Sequence, residues 1–76
     1  METMLDRIIT RRVCDGLYED RAIRVEATGM RIASQGGIVI LEGIMSCIAA
    51  KERAHGIAAA IQDVVRVEDR LMVRRA

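Results

Sequence analysis

Aromatic side chains are almost missing from this sequence: its 76 residues hold no Trp, no Phe and one Tyr, Tyr18. Single-strand nucleic-acid binders stack bases on aromatic platforms, and with a net charge of +1 there is no bulk field to draw a polyanion. No nucleic-acid partner is expected. Histidine is as scarce, His55 being the only one, and neither Cys14 nor Cys47 belongs to a Cys-x-x-Cys pair. A metal site needs three or four close ligands, so neither a metal nor any other cofactor is expected. A Cys-His nucleophile pair needs a thiol beside the imidazole and an oxyanion hole. Cys47 opens a helical stretch in which His55 lies about two turns on, and a solvent-facing His55 is the plainer reading. The glycines form no phosphate-loop or dinucleotide fingerprint, and no apolar run approaches the ~20 residues that span a bilayer. No catalytic constellation can be assembled, and an enzyme is not expected.

What is present describes one small domain, residues 1–76 with a core over about 5–74, because a second core does not fit in a chain of this length. The apolar fraction of 51% argues against disorder, but ten of those residues are Ala, so the core must be thin and aliphatic. Eleven of the twelve basic residues are Arg, with Lys51 the exception, which favours planar fork contacts to carboxylate or phosphate over diffuse attraction. Two cysteines allow one disulfide. No secretory leader precedes them, which favours two reduced, partly buried thiols.

Periodicity places the elements. Leu5, Ile9, Val13 and Leu17 recur at steps of four with Ile8 beside them, predicting a helix from Thr3 to about Tyr18. Thr3 caps it and Asp6, three residues on, meets the free amides of the first turn. From Arg21 the pattern alternates, reading as extended chain: a loop or extra strand over 21–28, then a strand at 30–34. Gln35-Gly36-Gly37 suits a hairpin turn, and Ile38-Val39-Ile40-Leu41 begins a second strand over 38–44. Ser46 is placed to cap a second helix with a stripe of Ile48, Ala50, Ala54, Ile57, Ala58 and Ile61, in which Gly56 suggests a close approach to the sheet. Val65, Val67, Leu71 and Val73 predict a last strand over 65–74.

The order α-β-β-α-β makes strands two and three parallel through a crossover. The fold class is therefore α+β, a three-stranded mixed sheet with two helices packed on one face. The other face has nothing left to cover it. It would carry Arg31, Ala33, Ile38, Ile40, Glu42, Arg66, Glu68, Arg70 and Met72. Ile38, Ile40 and Met72 among those charges are candidates for an interaction face, although β-propensity alone also places such residues in strands.

Four pieces of the chain, in order, resemble the BON domain, a small bacterial module of osmotic-stress envelope proteins and nodulation-related proteins. They are Asp6-x-x-Ile9-x-x-x-Val13-x-x-x-Leu17 with Asp20 after it, then Gly37-x-Val39-x-Leu41-x-Gly43, then a helix with Ala54 and Ala58, then Val64-x-x-Val67-x-Asp69-x-Leu71-x-Val73. The chain departs from the pattern at Asp63, where the family usually has Gly, and in a somewhat longer linker from Asp20 to Met30. The resemblance implies the same α-β-β-α-β sandwich, a non-enzymatic role, and binding to phospholipid surfaces or assembly with proteins. It implies no site residues, since the matched positions are core and turn. It also suggests the bacterial periplasm or envelope, against the cytoplasm if Met1 is a true start without a leader.

Two binding hypotheses follow. In the first, Arg7, Arg11 and Arg12 on the outer face of the first helix hold the phosphates of anionic phospholipid, against the partial cancellation by Asp15, Glu19 and Asp20 that makes them an ordinary solvated face. Arg74-Arg75 and Tyr18 carry the same ambiguity. In the second, the chain is a scaffold piece that forms a homo-oligomer through Ile38, Ile40 and Met72 on the open sheet face or through strand edges.

Overall fold

The computed structural model describes residues 3–74. Helix α1 runs over Met4–Glu19 and its start is the capping box that the sequence predicts. The Asp6 amide donates to Thr3 Oγ1 at 3.1 Å and the Thr3 amide donates to Asp6 Oδ2 at 3.0 Å. Its buried stripe is Asp6, Ile9, Val13 and Leu17, not Leu5, which is half-exposed. Steps of four drift by about 40° each on a helix of 3.6 residues per turn, so Leu5 and Leu17 cannot share one stripe. The stripe instead steps by three from Asp6 to Ile9.

The linker is neither loop nor strand. After a turn at 21–23 it forms a one-turn helix, α2, over Arg24–Ala27. Ile23 and Ala27 are buried while Val25 is exposed: residues four apart face inward, and the apparent alternation of 23, 25 and 27 hid that spacing. The described residues thus form three helices where two were expected.

Strands β1 (Arg31–Gln35) and β2 (Ile38–Met45) form an antiparallel hairpin pairing Gln35 with Ile38. Gly36 and Gly37 have φ of 59° and 83°, the positive values that a two-residue turn requires. Helix α3 spans Ile48–Ala59, and β3 (Arg66–Val73) lies parallel to β2, giving the sheet order β1-β2-β3. The residue that caps α3 is Cys47, not Ser46, and its side chain makes no cap hydrogen bond. Ser46 is taken elsewhere, its amide and hydroxyl both donating to the Glu26 carboxylate of α2. Asp63 accepts the position usually given to Gly with a φ of 74°, a value that Asp tolerates better than most residues.

Helices α1 and α3 pack side by side on one face of the sheet, α1 against β1 and α3 against β3 and β2. The core joins Ile9, Val13 and Leu17 to Val39, Leu41, Met45 and Leu71, with Ala50, Ala54 and Ala58 of α3. Ile57 and Ile61 only flank that core, and Ile48, about 120° round the helix from the middle of the Ala stripe at Ala54, is 64% exposed. Gly56 is not a close approach, for a Cβ there would meet nothing within 4 Å. The tight contact is at Gly16, where a Cβ would lie 3.0 Å from Ile57 Cγ2, so a small residue in α1 lets α3 come near.

Candidate functional site

Among the described residues, two surfaces and a shallow cavity stand out beside the core. The first surface is the outward side of α1. Its first two turns carry Arg7, Arg11 and Arg12, all exposed, interleaved with Met4, Leu5 and Ile8, which are 79%, 49% and 40% exposed. The sequence pointed to the three Arg; it missed the apolar partners because Leu5 and Ile8 were assigned to the core stripe. Arg12 lies 4.0 Å from the Asp63 carboxylate with both groups well exposed, a pairing that contributes at most about 1 kcal/mol and is readily exchanged. Arg11 has no acidic partner among the described residues. The acids Asp15 and Glu19 lie one to three turns further along. Tyr18 is half-exposed near the far end of the helix.

The second surface is the open face of the sheet, on which the strand registers set side chains in rows. Gln35, Ile38 and Arg66 form one row, Ala33, Ile40 and Glu68 the next, then Arg31, Glu42 and Arg70, and finally Ile44 beside Met72. Ile38 and Ile40 are partly buried by these neighbours; Ile44 and Met72 are 61% and 69% exposed. Ile44 was not among the sequence candidates, although it lies in the predicted strand over 38–44 on the same face as Ile38, Ile40 and Glu42. Arg70 donates to Glu68 at 2.9 Å, and that hydrogen bond, with the nearby carboxylates of Glu68 and Glu42, raises the guanidinium pKa further. Arg74 is exposed just past β3, and Arg75 lies outside the described residues.

The cavity, about 330 Å³, lies between α2 and the start of α3 and includes Ala22, Ile23, Glu26, Cys47 and Arg53 in its wall. Its charged groups are engaged: Glu26 with Ser46, and Arg53 with Asp20 at 2.6 Å. Burial works to raise the Asp20 pKa, but the Arg53 and Ala22 hydrogen bonds outweigh it and hold the carboxyl below its ordinary value. His55 is not in that wall. It is half-exposed to solvent, and its Nδ1 lies 3.1 Å from Asp69 Oδ2 on β3, a contact the sequence reading did not foresee. Asp69 Oδ1 in turn accepts from the Leu71 amide at 2.9 Å. Both cysteines are free thiols; Cys14 is partly buried, which raises its pKa, and Cys47 is exposed, where a partly buried thiol was expected.

The sandwich, its hairpin and its Ala-striped second long helix are the frame that the four sequence pieces imply, and the family model described as BON domain matches residues 5–75. The chain belongs to the BON domain family. No curated protein matches it. BON domains are non-catalytic binding modules associated with lipids and the envelope. Among the described residues no helix is long and apolar enough to cross a membrane.

Proposed function

We propose that this BON domain is a non-enzymatic module that docks on anionic phospholipid surfaces through the first two turns of α1. The observation that carries this reading is the interleaving of Arg7, Arg11 and Arg12 with the exposed side chains of Met4, Leu5 and Ile8. A helix lying at a bilayer surface needs both parts: apolar groups that enter the headgroup boundary and cations that meet the phosphates. Arginine suits the second part because its planar fork can hold two phosphate oxygens at once. Each basic residue near an anionic leaflet contributes about 1 kcal/mol, so three of them with a small apolar patch support weak, reversible docking. The acids further along α1 limit the contact to its N-terminal half.

Co-sedimentation with vesicles tests the proposal. Binding to phosphatidylglycerol-containing vesicles is expected, with little to pure phosphatidylcholine, and it should weaken between about 0.1 and 0.5 M salt as screening shortens. The double variant Arg7→Glu, Arg11→Glu reverses four charge units and should lose roughly tenfold or more in affinity. Equal binding to neutral vesicles, or no change in the double variant, would contradict the reading.

A further inference from the structure

Among the described residues no element covers the sheet face opposite the helices, and its pattern of charge says what fits it. We propose that this face pairs with the same face of a second copy, about a two-fold axis that crosses the strands at right angles between the Ile40 and Glu42 positions of β2. That axis reverses the order of the rows. Ile38 of one copy then meets Ile44 of the other, Arg66 extends its stem over Met72, and Glu68 meets Arg70 twice, turning two internal ion pairs into an alternating ring of four charges.

Other stackings are worse. An axis along the strands exchanges β1 with β3 and sets Arg31 over Arg70 in both halves. Centring the crossing axis on the Ile40 row opposes Glu68 to Glu68, and centring it on the Glu42 row opposes Arg70 to Arg70. Like charges directly opposed are destabilising. A shift towards the hairpin matches Arg66 with Glu68 but leaves Ile44 and Met72 uncovered. The proposed register opposes Glu68 to Arg70 in both halves and covers Ile44 and Met72, while Glu42, set over Ile40 of the other copy, keeps Arg31 and Arg70 as neighbours in its own sheet.

Size sets the strength. Three strands about 4.8 Å apart and about eight residues long give a face of roughly 14 by 26 Å, well below the ~800 Å² per partner of a standard interface. The pairing is therefore weak and concentration-dependent. It also leaves α1 outward on both copies, so it is independent of the lipid contact.

Sedimentation equilibrium over about 0.01–1 mM, a range suited to an interface this small, should show mass rising from monomer towards dimer. Ile44→Lys and Met72→Lys, at exposed positions that leave the fold intact by circular dichroism, should each hold the chain monomeric, while Val65→Lys, on an exposed residue away from this face, should not. Glu68→Arg alone and Arg70→Glu alone should each lose dimer through like charges, and mixing the two variants should restore it as a heterodimer. A monomer throughout the range, a dimer that survives Ile44→Lys, or two charge variants that fail to associate on mixing would each overturn the proposal.

Discussion

Asp6 is 2% exposed yet belongs to a helix whose other buried residues are aliphatic. Its carboxylate accepts the Thr3 amide at 3.0 Å, and that hydrogen bond first, then the Thr3 hydroxyl and the Gly37 and Gly36 amides, lowers the pKa despite burial. The lowered value fixes the sign of its pH dependence. The ionised carboxylate stabilises the fold fully above the ordinary value of 3.8 and loses that contribution as pH falls through the lower folded value. Asp6→Asn should therefore be less stable than the parent near pH 7, and the gap should close on acidification below about pH 4. A gap in urea midpoints that stays constant down to pH 2 would refute this role. The two turn glycines give a second test. Both have positive φ, but an added Cβ at Gly37 would lie 2.7 Å from Val65 Cγ2, while one at Gly36 meets nothing within 4 Å. Gly36→Ala should lower stability by about 1–2 kcal/mol through backbone strain alone, and Gly37→Ala by more; thermal melts showing the reverse order would be inconsistent with this turn.

Helix α3 packs through Ala50, Ala54 and Ala58, the last two fully buried, so its distance from the sheet is set by methyl groups. Ala54→Leu should overpack that contact and destabilise by about 1–3 kcal/mol, lowering the melting temperature by several degrees or more, while Ile48→Ser on the exposed side should change little. Equal effects of the two would mean that the helix faces are misassigned. The strands and α1 were legible in the sequence because Ile38-Val39-Ile40-Leu41 and the Ile9, Val13, Leu17 spacing each carry a period long enough to read. Helix α2 was not, because four residues cannot show a helical period, and Ile23 and Ala27 fit alternation as well as a turn. The cap at Cys47 was hidden too: Ser46 has the right chemistry one residue early, and only the fold reveals that Glu26 claims it.

At the scale of the whole molecule, the helices bury one face of the sheet and leave two surfaces of different character. The basic residues of the α1 surface were readable, since three Arg within six residues stand out in any sequence. Its apolar half was not, because whether Leu5 and Ile8 face inward depends on the phase of a stripe that Asp6 joins. The proposed docking puts the α1 start against the lipid. Titrating isotope-labelled chain with phosphatidylglycerol nanodiscs, and following backbone amide signals, shows which residues make that contact. Selective broadening over residues 4–12 is expected, reduced by Arg7→Glu with Arg11→Glu and missing with phosphatidylcholine discs. Broadening centred on the cavity around Cys47 or on the sheet face instead, with 4–12 unaffected, would contradict it.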